Sequence, residues 1–233
     1  MTEPIAVTAR IGQRGRLILP VQVQRAAHLT EGDPVVLRTT TTGAITLEPL
    51  WAVRQELRRV FAPLLADHLP TGPALVLAGG HPLPADAPPH PLPDALRHLP
   101  AGAPTGEKRV VVTASAVLAW IKSGPDSRVN MWLDRAVLPE AAAGELVTVL
   151  ARAGAHERAD HLLAELALLG VRRPSTAEHR TTLATDTAHA LDLTTRTAAA
   201  GLDLPMPDAL CAAAAHRLDA PLLAAGLLLT ETP

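Results

Sequence analysis

The sequence predicts a mixed chain with an α+β part and an α/β part, joined by a linker. Three observations lead there. Before Pro49, short apolar runs are separated by turn signals, with no long helical repeat. The stretch HPLPADAPPHPLPDALRHLPAGAPTGEK is dense in proline and reads as an extended linker. After Val110, short β-prone runs alternate with helical periodicity, the pattern of a parallel sheet wrapped by helices. The expected parts are 1–49, 50–109 and 110–233.

In the first part, Ile5–Ile11 reads as a strand. Gln13-Arg14-Gly15-Arg16 is a turn with Gly15 suited to positive φ, and Leu17-Ile18-Leu19 is a second strand stopped by Pro20. Val21–His28 fits a short helix with proline at its first position. Glu31-Gly32-Asp33-Pro34 is a turn, and Val35–Arg38 and Ile45–Leu47 form a hairpin about Thr42-Gly43. So short a β-rich segment makes a poor core alone, and pairing with a second copy solves that.

In the middle part, Val53, Leu57, Val60 and Phe61 recur at helical spacing, and Pro63 is expected to end or kink that helix. Leu64–Leu69 adds a last turn. His81, His90 and His98 have no metal-ligand spacing and read as solvated linker residues.

The third part opens with strand Val110–Val112 and helix Ser115–Ile121. Strand Ala136–Leu138, helices Ala141–Ala153 and His156–Leu169, and a short strand near Val171 follow. The long polar helix Ala177–Ala200, the alanine-rich helix Asp208–Leu218 and strand Pro221–Ala224 complete it.

Composition narrows the setting. Cys211 is the only cysteine, which excludes a disulfide framework and a thiolate zinc cluster. No N-terminal apolar run resembles a signal peptide, and no apolar stretch is long enough to span a bilayer, so a cytoplasmic protein with no membrane partner is expected. The formal net charge of −2 hides an asymmetry. Arg10, Arg14, Arg16 and Arg25 stand in a stretch with no acid, whereas Val110 onward carries 10 basic and 14 acidic residues, a net of −4. The N-terminal part suits a polyanion and the C-terminal part does not.

The stretch IGQRGRLILPVQVQRAAHLTEGDPVVLRTTTTGAITLEP resembles the AbrB/MazE/SpoVT swapped-hairpin family. Gly15-Arg16, Leu19-Pro20, His28-Leu29, Gly32-Asp33 and Leu47-Glu48-Pro49 match its pattern in order and spacing. The resemblance implies a homodimer that interlocks hairpins into one small β-barrel. It also implies binding of double-stranded DNA through Arg10, Arg14, Arg16 and Arg25. Guanidinium forks suit that task, because they bond phosphates and guanine edges in pairs. Gln24 stands where related chains often carry another arginine.

From Val110 onward the chain resembles a PIN domain of the VapC type, on VVVTASAVLAW, on AAGELVTVL and on PMPDALCAAAAHRLDAPLLAAG. In that family four acids converge on Mg²⁺ or Mn²⁺ and cut RNA. Ser115, Glu145 and Asp208 match the pattern, while Thr113 and Gly226 stand at two positions that carry acids in the family. Hard divalent ions require several carboxylate oxygens, so the resemblance implies a degenerate site with no resident metal and no catalysis. Asp203 is a possible replacement acid, though its spacing from Asp208 does not favour it. Glu145 alternatively reads as a helix-surface acid, Asp208 as a helix N-cap, and Cys211 as a small core residue.

The expected protein is a DNA-binding transcriptional regulator whose PIN-like domain serves oligomerisation or a protein partner. The alternative is a fused toxin–antitoxin protein whose PIN domain still uses Mg²⁺ or Mn²⁺ to cleave RNA. A third reading is an interaction module without a DNA role.

Overall fold

The computed structural model describes residues 13–68, 76–78, 109–123, 133–199, 202–224 and 230–231. The chain divides into two compact units, Met1–Arg54 and Gln55–Pro233. The division falls within a helix, not at Pro49. Ile5–Ile11 lies outside the described residues.

The first unit opens with a 3₁₀ turn, Gln13–Gly15, in which Arg14 takes the left-handed conformation (φ 62) expected of Gly15. Leu17-Ile18-Leu19 is not a strand; only Leu17 makes a β-bridge. Helix α1 (Val21–Ala26) has Pro20 as its N-cap, one position before the helical site expected for proline. In the turn that follows, the Asp33 carboxylate accepts the Thr30 amide at 2.7 Å and the Thr30 hydroxyl at 2.9 Å. These bonds hold Asp33 below its ordinary pKa.

Strands β1 (Val35–Thr39) and β2 (Ile45–Pro49) form the expected hairpin, with Val35 opposite Pro49 and Thr39 opposite Ile45. Gly43 (φ 81) supplies the left-handed turn residue. Alternation along paired strands sorts the side chains by face. Val36 is buried on one face, beside the Arg38–Glu48 ion pair at 3.1 Å. Val35, Leu37, Ile45 and Leu47 share the other face, where Leu37 is 62% exposed and Ile45 64%. Among the described residues this unit buries only Leu29, Val36 and Val53 as apolar side chains. Its strands form an open two-stranded ladder, and one copy of the chain closes no barrel among the described residues.

Helix α2 (Leu50–Leu64) tolerates Pro63 because that residue lies in the last turn, and a 3₁₀ turn (Ala66–His68) follows. In the second unit, β3 (Val76–Ala78), β4 (Val110–Val112), β5 (Ala136–Val137) and β7 (Leu222–Ala224) make one sheet in the order β3-β7-β4-β5. Strand β4 runs parallel to both neighbours, while β3 pairs antiparallel at the edge of β7. The strand expected near Val171 reduces to a parallel bridge between Val137 and Arg172. A separate ladder joins β6 (Leu202–Asp203) to β8 (Thr230–Glu231).

The unit's helices are α3 (Ala114–Ser123), α4 (Glu140–Arg152), α5 (Ala159–Leu168), α6 (Thr176–Ala199) and α7 (Met206–Arg217), of which α7 packs on β4 and β7 and α3 on β7. Their inner faces bury Trp120, Leu146, Leu150, Leu162 and Leu166 completely or nearly so. Cys211 and the alanines that follow it are buried, and such small side chains let α7 lie close to α6 and α4. From the end of α2, Phe61 stacks on His161 at 5.9 Å, and Arg58 lies 4.8 Å from the Trp120 ring centre, a cation–π distance.

Four helices stop in the same way. After α1, α4, α5 and α7, a left-handed residue (His28, Gly154, Gly170 and Asp219) turns the chain, and the next amide bonds back to the helix's last full turn. At Gly170 an added Cβ meets the Asp134 Cα at 2.8 Å, whereas at Gly154 nothing lies within 4 Å. Gly170→Ala is therefore expected to cost about 2–4 kcal/mol, from left-handed strain plus overpacking. Gly154→Ala is expected to cost about 1–2 kcal/mol from strain alone. Urea midpoints of the two variants check this, and equal losses contradict it.

Candidate functional site

Arg14 and Arg16 flank the turn that opens the first unit, and Arg25 lies in the last turn of α1. All three are exposed, and none of their side chains has a hydrogen-bond or ion-pair partner among the described residues. Arg38 differs, since Glu48 neutralises it. The free guanidiniums keep their full donor set for an external anion. Gln24 does not share that role. Its side-chain amide donates to the Leu19 carbonyl at 2.8 Å and braces the approach to α1. Arg10 lies outside the described residues.

In the second unit, Thr113 occupies the carboxyl end of the central strand and is fully buried. Its hydroxyl donates to the Leu223 carbonyl (3.3 Å) and accepts the Ala116 amide (3.2 Å). The Ser115 hydroxyl lies 2.8 Å away and completes the set. Thr113 is thus the N-cap of α3 and ties β4 to β7 through the same oxygen. A carboxylate here could accept the Ala116 amide but would face the Leu223 carbonyl without a proton to offer. The hydroxyl pair Thr113–Ser115 has a structural explanation that needs no ligand.

Glu145, on α4, and Asp208, at the third position of α7, do come together. Burial and then the Glu145 charge push the Asp208 carboxyl from an ordinary 3.8 up to about 7. Burial also raises Glu145, against a smaller opposing pull from Arg152. Asp208 is not the N-cap expected from its position; Pro205 is. Cys211 sits one turn further along α7. Burial raises its thiol pKa and the two carboxylates raise it further, while a hydrogen bond with the Ala142 backbone opposes them. Sequence reading missed this neighbourhood, although three residues of helical separation between Asp208 and Cys211 put them on one face.

Asp203 is exposed on β6, and burial and Glu145 alone account for the Asp208 shift. Gly226 and the linker histidines lie outside the described residues. Among the described residues, no three His, Cys, Asp or Glu side chains converge as a metal centre. Two carboxylates beside a neutral thiol do not fit a hard divalent ion, which takes six or more oxygens. What the pair provides is one carboxyl, Asp208, that holds its proton up to near neutral pH.

Set against protein-family models, curated proteins and solved structures, the chain matches none.

The raised carboxyl makes a pH prediction. The folded chain holds a proton on Asp208 that the unfolded chain releases near pH 3.8. Stability from this group is therefore greatest at low pH, declines between about pH 4 and pH 7, and stays at its reduced level above. Asp208→Asn removes the decline. The variant is expected to match the parent at pH 4 and to exceed it by about 1–3 kcal/mol at pH 8. Denaturant titrations at both pH values check this, and a variant less stable at pH 8 contradicts it.

Proposed function

We propose that this chain is a DNA-binding transcriptional regulator of the swapped-hairpin type. Two copies pair through the first unit, Arg14, Arg16 and Arg25 meet double-stranded DNA, and Arg10 joins them. The second unit is a PIN-like domain that does not cut RNA and serves oligomerisation or a protein partner. A cytoplasmic setting goes with this reading; among the described residues no helix is long and apolar enough to cross a membrane.

The observation that carries the reading is a coincidence in one short unit. Exposed arginines with no acidic partner among the described residues stand in the same unit as a hairpin whose apolar face is largely exposed. A two-stranded hairpin is marginal alone. A second copy covers the apolar face and doubles the arginines along one binding surface. For the second unit, support comes from a parallel strand trio with Glu145 and Asp208 brought together and Thr113 spent on the helix cap.

Fluorescence anisotropy with labelled duplex DNA tests the reading across a range of salt. Withdrawing one arginine from a phosphate is expected to flatten the slope of log K against log salt by about one unit. Arg14→Ala and Arg16→Ala are expected to weaken binding and flatten the slope. Unchanged binding at every salt concentration refutes the assignment.

A second reading has its own observation. The Asp208 carboxyl is raised by burial and then by the neighbouring Glu145 charge, and a bound divalent cation relieves the second of these. On that reading the second unit is a metal-dependent ribonuclease. RNA incubated with the protein and excess Mg²⁺ or Mn²⁺ is expected to stay intact. Cleavage that disappears in Glu145→Gln establishes the second reading and overturns the first reading's inactive domain.

A further inference from the structure

A cleft of about 260 Å³ opens between α4, α6 and α7, on residues that belong neither to the arginine surface nor to the Glu145–Asp208 pair. Its walls are apolar, from Val137, Pro139, Pro174, Leu210 and Leu218, and Leu183, 44% exposed, also lines it. Five polar side chains enter this lining: Glu140, His179, Thr182, Asp186 and Arg217. Small-molecule sites have this composition, apolar walls with a few convergent polar groups.

The ion pair in the cleft sets the sign of the ligand. Arg217 donates from Nε to one Asp186 oxygen at 2.9 Å and from Nη2 to the other at 3.1 Å. That bidentate pair uses one edge of the guanidinium and two of its five N–H groups. No other partner takes the remaining edge among the described residues. Asp186, 14% exposed at its side chain, already has its charge paired with the arginine, so it offers a cationic ligand no unneutralised carboxylate. An anionic ligand displaces nothing. The His179 ring likewise has no partner among the described residues and offers a further N–H. Glu140, also in the lining, is neutralised by Arg173 at 3.0 Å.

We infer that this cleft binds a small organic carboxylate with an apolar body. The carboxylate takes the free edge of Arg217 and the imidazole of His179, and the body lies against Val137, Pro174 and Leu210. The volume admits a molecule of roughly ten non-hydrogen atoms, taking about 30 Å³ for each water it replaces. The site is confined to the second unit and does not depend on whether the first unit binds DNA.

Benzoate and phenylacetate are the probes, titrated into the full chain and followed by the amide resonances of Leu183 and Leu210. Saturable shifts are expected at low millimolar concentrations, with benzamide and benzylamine at least tenfold weaker. Arg217→Lys keeps a cation for Asp186 but loses the second donor edge, and is expected to weaken benzoate at least fivefold. Leu183→Glu, at an exposed position that leaves the core intact, is expected to weaken it at least tenfold by charge repulsion. No saturable shift with either carboxylate overturns the inference. So does equal binding of benzamide or benzylamine, or a Leu183→Glu variant that binds benzoate as well as the parent.

Discussion

Val35, Leu37, Ile45 and Leu47 line one face of a two-stranded sheet, and nothing among the described residues of a single copy covers the outer pair, Leu37 and Ile45. Apolar area in water is unfavourable by about 25 cal/mol per Å², and a two-stranded hairpin has little else to stabilise it. The turns on either side are well made. Asp33 closes one loop through Thr30, Gly43 turns the hairpin, and Gln24 braces Leu19. Local structure is thus fixed by hydrogen bonds and caps, while among the described residues only Leu29, Val36 and Val53 supply buried apolar side chains. The proposed pairing of two copies supplies that burial, and it is the step from which the DNA-binding reading follows.

The second unit has the opposite character. Its central strand is fully buried, and one hydroxyl on Thr113 serves the strand, its neighbour and the following helix together. At the position where the proposed PIN-like reading calls for an acid, the Thr113 oxygen is already committed to folding. The carboxylates that remain, Glu145 and Asp208, repel each other in a partly buried place. Burial and then that repulsion weaken the fold as pH rises from about 4 to 7, and neither the Cys211 thiol nor the Thr113 hydroxyl offsets them with a hydrogen bond to Asp208.

Much of the architecture was legible in the sequence because it is local. The hairpin about Gly43, the strand Val110–Val112 and the helices from Glu140 and from Thr176 follow from turn chemistry and periodicity. What escaped has physical reasons. Strand Val76–Ala78 and the β6–β8 ladder are short and held by distant partners, which periodicity does not register. Leu17-Ile18-Leu19 has strand-forming side chains, yet a strand also needs a partner for its backbone, and only Leu17 finds a bridge. His28 and Asp219 took left-handed turns that residue preference assigns to glycine, because the helix ends there impose the geometry. For the site, Glu145 and Asp208 were singled out through the PIN resemblance and do come near each other. The place of Cys211 beside them, and the ion pair between Asp186 and Arg217, depend on helix packing that no local pattern encodes.

The central claim is that the hairpin's apolar face belongs between two copies of the chain. Sedimentation equilibrium of the full-length protein at micromolar concentration, beside a Leu37→Asp variant, tests it most directly. The account predicts a dimer for the parent chain and dissociation in the variant, with helical content preserved by the second unit. A folded monomer in the parent, or a dimer that Leu37→Asp leaves untouched, contradicts it.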